Sequence, residues 1–220
     1  MEYFDYIIYG LIQGITEFIP VSSSAHLKVV SHFLGISDPG YSLSAVIQIG
    51  SVCALVWYFK NDILKNIVDK KLLGYSSTKK LLRSILIGTI PIILFGGSIK
   101  IFSLNFFDNV LRSNLSIAIV SFIMAIYMYL ADSSKKGFIN IKNHNYLDSF
   151  WIGLYQAFAV IPGVSRSGVT ISSALLSGWE RKDAIKFSFF LGIPAISLAA
   201  IFELIYSLND LSLLSFYPLI

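Results

Sequence analysis

Two places in this chain set reactive side chains inside hydrophobic sequence. The first holds Gln13, Glu17, Pro20, Ser22, Ser23, Ser24 and His26; the second holds Gln156, Pro162, Gly163, Ser165, Arg166, Ser167, Gly168 and Thr170. Gln13 and Glu17 stand four residues apart, so on a helix they share a face. Ser22, Ser23 and Ser24 offer hydroxyls just ahead of a short apolar segment, where the free N–H groups of a helix start attract anions. His26 follows Ser23 by three residues, one helical turn, within reach of its hydroxyl. A serine with a base and a carboxylate nearby is the pattern of an activated nucleophile. Arg166 lies between two serines, and its planar, permanently charged fork suits phosphate oxygens. Together these groups could cleave a phosphate ester or anhydride. Each also has a plainer use. Serines in membrane helices bond to backbone, Glu17 could simply pair with Arg166, and Gln48 could join helices while lining the site only secondarily. Glu203, near a helix end, reads as interfacial, and His32 and His144 as interface or loop. The conjunction of charge and hydroxyls, found twice, favours chemistry. A constant offset pairs Gln13 with Gln156, Ser22 with Ser165 and Ser24 with Ser167.

The elements that must position these residues belong to a membrane protein. The chain of 220 residues is 55% hydrophobic but only 14% charged, against about 25% charged in soluble domains. Its net charge of +4 is spread between apolar segments, which fits a membrane protein's loop bias and not a nucleic-acid surface. One cysteine, Cys53, allows no disulfide within the chain and no Cys-based metal site. Glu2 and Asp5 stand where a cleavable signal peptide is basic; insertion into a bacterial inner membrane by the protein's own helices is expected. Stretches at about 41–59, 81–100, 115–131 and 184–207 approach the ~20 apolar residues of a span, with Pro91 and Pro194 inside two of them. Residues 3–19 and 24–35, and again 148–161 and 167–178, are shorter pairs broken by a polar turn with proline. They read as re-entrant helical hairpins.

Basic residues crowd three connections: Lys60 to Arg83, Lys135 to Lys142, and Arg181 to Lys186. The 101–114 connection has only Arg112 and Asp108. Placing the basic connections in the cytoplasm sends the first hairpin in from outside and the second from inside. The expectation is one all-α polytopic domain over 1–220, with four full spans and two hairpins arranged as inverted repeats. The first repeat covers about 1–131 and the second about 147–220, shortened at its end.

These residues carry a resemblance. Gln13-x-x-x-Glu17 with Pro20-Val21-Ser22-Ser23-Ser24-Ala25-His26, then Pro162-Gly163-Val164-Ser165-Arg166-Ser167-Gly168-Val169-Thr170, is similar to the BacA/UppP family of undecaprenyl-diphosphate phosphatases. Val46-Ile47-Gln48-Ile49-Gly50-Ser51 and Phe187-Ser188-Phe189 extend it over nearly the whole chain. The resemblance implies dephosphorylation of the C55 lipid diphosphate to recycle the peptidoglycan carrier, a link to bacitracin resistance, and a site open to the outer face. It implies a divalent cation, Mg²⁺ or Ca²⁺, held largely by substrate oxygens and by Glu17. Carried across, the catalytic residues are Glu17, Ser23, His26 and Arg166, with Gln13, Ser22, Ser24, Ser165, Ser167 and Thr170 expected to bind substrate. Gln13 replaces one carboxylate of the family's Glu/Gln-x-x-x-Glu motif and weakens a metal role there. Members usually carry two more spans, so either the form is compact or truncated, or another copy completes the second repeat, as in a homodimer. The nucleophile stays open between Ser23, His26 and a water activated by Glu17. A lipid-phosphate transporter of inverted-repeat architecture is the alternative, since moving an anion needs the arginine but no nucleophile.

Overall fold

The computed structural model describes residues 3–36, 40–68, 75–102, 110–134 and 137–214. Eight α-helices follow in chain order: α1 (Tyr3–Thr16), α2 (Ser23–Leu34), α3 (Gly40–Val68), α4 (Tyr75–Phe102), α5 (Asn114–Asp132), α6 (Tyr146–Ala157), α7 (Arg166–Leu176) and α8 (Arg181–Leu214). Four of them contain stretches long and apolar enough to cross a membrane: Leu43–Ile63, Lys79–Ser98, Asn114–Asp132 and Arg181–Ile205. These match the four expected spans, and α4 and α8 run through Pro91 and Pro194. The chain is thus a multi-pass, all-helical membrane protein. On α5, Leu115, Ile119, Phe122, Ile123, Ile126 and Leu130 are exposed, an apolar face of the kind that a bilayer covers.

The short helices have local reasons to stop. α2 ends at Gly35, whose φ of 64° continues the chain in a left-handed turn. Asn145 and Asp148 close a reciprocal capping box on α6. At 12 and 11 residues, α6 and α7 reach only about 16–18 Å, well short of a bilayer's hydrocarbon.

Packing fixes the directions. α3 and α8 run antiparallel: Asp62 pairs with Lys186 at 2.9 Å, the Phe59 and Phe190 rings pack at a tilt, and Gln48 bonds to Glu203. α4 and α6 run parallel, matching Ser84 to His144, Gly88 to Gly153 and Gly96 to Val160. The core lies between these pairs, built on Trp179, Phe187, Leu191 and Ile152, all essentially buried.

α1 and α2 fold back on each other, with Tyr9 Oη and Ser31 Oγ 2.7 Å apart. α6 and α7 do the same, and the chain at their outer ends is tied by a bridge between Ile139 and Trp179. The outer end of the second pair lies beside the Asp132–Arg181 ion pair, with the ends of α4 and α8 that carry Lys80 and Lys186. α2 instead runs past the opposite end of α5, where the Lys28 ammonium donates to the Arg112 carbonyl. The inner tips meet: Ser167 Oγ lies 3.5 Å from the Glu17 carbonyl.

Candidate active site

Glu17 sits one residue past α1, where its N–H still donates to the Gln13 carbonyl at 2.9 Å. That last helical bond carries its side chain onto the Gln13 face, and Gln13 Nε2 donates to Glu17 Oε2 at 3.0 Å. The same oxygen accepts Ser23 Oγ–H at 2.8 Å. Arg166 Nη2 lies 3.5 Å from the other carboxylate oxygen, and both side chains are about nine-tenths buried. One carboxylate therefore bridges an amide, a hydroxyl and a guanidinium drawn from two distant segments.

The serine turn is strained where it delivers Ser23. Ser22 is the one non-glycine residue among those described with positive φ, at 61°, a conformation costing roughly 1–3 kcal/mol. Its carbonyl accepts both the His26 N–H at 3.2 Å and His26 Nδ1 at 2.9 Å, and its hydroxyl meets Ser24 Oγ at 3.2 Å. A carbonyl only accepts, so Nδ1 carries the proton and the Nε2 lone pair of the neutral ring is left for other work. His26 is exposed and turned to the turn backbone, whereas the Ser23 hydroxyl is given to Glu17. The expected Ser23–His26 contact is replaced by a Ser23–Glu17 contact. Helical spacing alone did not foresee the bend at Ser22.

From the other tip, Ser165 caps α7 by accepting the Gly168 N–H at 3.2 Å. Arg166 Nη1 donates to the Ser188 carbonyl at 3.2 Å. Its Nε and Nη2 are buried without a hydrogen-bond partner, Nη2 lying instead in the ion pair with Glu17. Gly192 makes room: a Cβ there would lie 2.0 Å from Arg166 Nη1. Thr170 and Ser167 lie behind the site. Thr170 is fully buried, bonds to the Arg166 carbonyl and to Ser188 Oγ, and so braces the arginine's seat. Ser167 shares hydrogen bonds with Ser165 and the Glu17 backbone.

Gln13, Glu17, Ser23, Ser24, Ser165 and Arg166 line a cavity of about 570 Å³; Ser22, His26, Ser167 and Thr170 do not. Its remaining wall is mostly aliphatic, with Ile47, Ile92, Ile93, Ile117, Ala195, Ile196 and Ala199. The cavity also reaches polar residues outside the expected site, among them Lys28, Arg112 and Glu203, together with Gln48, for which lining the site was the secondary reading. Gln48 Nε2 donates to Glu203 Oε2 at 2.9 Å across 155 residues of chain, so spacing within either segment gave no signal.

The sequence that builds this site has relatives. The family described as "Bacitracin resistance protein BacA" matches residues 6–217. The chain belongs to this family. It is 71% identical over its full length to a protein of Prochlorococcus marinus (strain AS9601) named "Undecaprenyl-diphosphatase", covering 81% of that relative. A protein of the same name from strain MIT 9301 is 69% identical with 83% covered, and one from strain MIT 9303 is 45% identical with 75% covered.

Proposed function

We propose that the protein is an undecaprenyl-diphosphatase, releasing phosphate from the C55 lipid diphosphate and returning the monophosphate carrier to cell-wall synthesis. One observation carries the mechanism: Ser23 Oγ–H points at the Glu17 carboxylate, 3.5 Å from Arg166. Arg166 holds the terminal phosphate through its guanidinium, whose Nε has no hydrogen-bond partner and whose Nη2 is ion-paired with Glu17. Ser23 Oγ attacks the terminal phosphorus while Glu17 takes its proton. The bond from that phosphorus to the bridging oxygen breaks, and lipid monophosphate leaves. Glu17 gives the serine proton to the departing monophosphate. Water then attacks the phosphoserine, and Glu17 or His26 Nε2 takes its proton. The phosphorus–Oγ bond breaks, with a proton returned to Ser23 Oγ as inorganic phosphate departs. Thr170 and Ser188 act through Arg166 by fixing its orientation. The aliphatic wall takes the polyprenyl tail.

A divalent cation fits the donor set in one way only. Among the described residues no three acidic, histidine or cysteine side chains gather, so a cage made by the protein is not present there. Glu17 would contribute one carboxylate oxygen, with substrate oxygens and water completing the shell, as is common for Mg²⁺. When bound, the ion would neutralise charge on the diphosphate.

The two hairpins enter the bilayer from opposite faces as inverted repeats, the first from outside the inner membrane, so that the site opens outward. Support comes from their lengths, from their opposed outer ends, and from the basic residues gathered at the end of the second pair.

Purified protein in detergent, where no gradient exists, should release phosphate from C55 diphosphate in a cation-dependent manner. Arg166→Ala should lower that rate by about 10²–10³ with insertion intact. Binding of the diphosphate without release, cation present, would assign the cavity to transport instead.

A further inference from the structure

The Glu17 carboxylate is held by Gln13, Ser23 and Arg166, but its backbone stands just past α1, at the start of the turn that leads to Ser22. Of the large apolar side chains in that turn, Ile19 and Val21 are exposed, whereas Phe18 packs against the buried core. The Phe18 ring meets Phe189 of α8 edge to face, with centroids 6.3 Å apart and planes at 90°. Phe189 in turn lies 6.1 Å from Phe59 of α3, a buried ring that packs on Phe190. Inside a bilayer, burial alone gives a hairpin tip little preference for one seat over another, so packing contacts decide its depth and rotation. Phe18 carries such a contact one residue from the carboxylate.

The same stretch of α8 seats the other half of the site. The Ser188 carbonyl accepts Arg166 Nη1 at 3.2 Å, and the Ser188 hydroxyl bonds to Thr170. Gly192 stands four residues on, on the same helix face, where a side chain would strike the guanidinium. Phe189 follows Ser188 directly, about 100° further round the helix. Consecutive residues of one helix therefore hold the guanidinium and the turn that bears the carboxylate. The 3.5 Å between Arg166 and Glu17 is set through α8 as well as across the ion pair itself.

We propose that Phe18 and Phe189 are a positioning pair for the general base. They register Glu17, and with it the Ser23 hydroxyl, against the seat of Arg166. Neither ring lines the cavity, so their effect on the reaction passes through Glu17. The inference rests on the lipid-diphosphatase reading above, with Glu17 as the base.

The test is steady-state phosphate release from polyprenyl diphosphate in detergent by the full chain, by Phe18→Leu, Phe189→Leu and the double variant, and by Phe18→Leu combined with Glu17→Gln. Either single leucine variant should lower kcat about 10-fold, less than the roughly 10²-fold cost of a full ångström's misplacement, with KM within about threefold of wild type. The double variant should fall no further than either alone, because both changes break one contact. Phe18→Tyr, which keeps the ring, should stay within about twofold of wild type. In the Glu17→Gln background Phe18→Leu should cost less than about twofold, since the base it positions is gone. A purely structural role would lower the rate by the same factor in both backgrounds. That result, wild-type kcat in both single leucine variants, or a change confined to KM overturns the positioning pair. A wild-type protein that turns over nothing overturns the diphosphatase reading instead.

Discussion

Arg166 is a buried guanidinium whose Nε has no hydrogen-bond partner and whose Nη2 has only the 3.5 Å ion pair with Glu17, and in a folded protein such a group is tolerated where a ligand completes it. Its position depends on an absence. Gly192→Ala adds a methyl carbon 2.0 Å from Nη1 inside a helix that alanine otherwise favours by about 1 kcal/mol. We expect phosphate release to fall at least about tenfold, because a small misplacement of a clamp is costly to rate, while circular dichroism shows helix content unchanged. Wild-type turnover from that variant would remove Gly192 from the site's architecture. Glu17→Gln keeps the shape of the side chain but deletes the base, and should lower kcat by about 10²–10⁴ while diphosphate binding persists. A kcat close to wild type would move the base elsewhere, with His26 Nε2 next in line.

Between elements, the closest approach is α4 on α6. A Cβ at Gly153 would lie 2.1 Å from the Gly88 carbonyl oxygen, so the clash is with backbone that cannot step aside. Small residues let membrane helices approach in this way. Gly153→Ala should destabilise by about 1–3 kcal/mol, read as a lower melting temperature in detergent. Gly88→Ala should cost less, since one of its two nearest contacts is the flexible end of Leu191. Beside this crossing, His144 is buried against Trp179 and Phe187, accepts the Ser84 hydroxyl at 2.8 Å and gives Nδ1–H to the Ile141 carbonyl. Burial first, and then Lys80, pull its pKa below the ordinary 6.5. The unfolded chain thus binds the proton more readily than the native state. The stability it contributes is whole above pH 6.5 and is lost as pH falls below that value toward the native pKa. Melting temperature should drop between pH 7.5 and 5.5, and His144→Gln should flatten that slope. An unchanged slope would mean that His144 is not the titrating group.

Element existence and the span positions were legible, because length, hydropathy and proline-bearing turns act locally. So was the candidacy of Glu17, Ser23 and Arg166, since charge and hydroxyls in apolar sequence have few other uses. The hydrogen bond of Ser23 to Glu17 in place of His26 was not: it turns on the φ of one serine. Neither was the full cavity wall, because Lys28 with Arg112 and Gln48 with Glu203 meet only through tertiary packing. At the scale of the whole molecule, the orientation is open to direct measurement. In a Cys53→Ser background, Leu34→Cys should react with a membrane-impermeant thiol reagent on intact spheroplasts, and Phe138→Cys only after permeabilisation. Both side chains are well exposed. The reverse pattern would invert the proposed topology.

The meeting of the two hairpin tips also sets an order in time. Ser167 lies 150 residues downstream of Glu17, and ribosomes add about 5–20 residues per second. For roughly 8–30 seconds at that rate the first segment exists without Arg166. Gln13 and Ser23 can meet Glu17 within that half of the chain, but the guanidinium that completes the cluster comes only with the second. Assembly of the proposed site is thereby tied to synthesis of the second half.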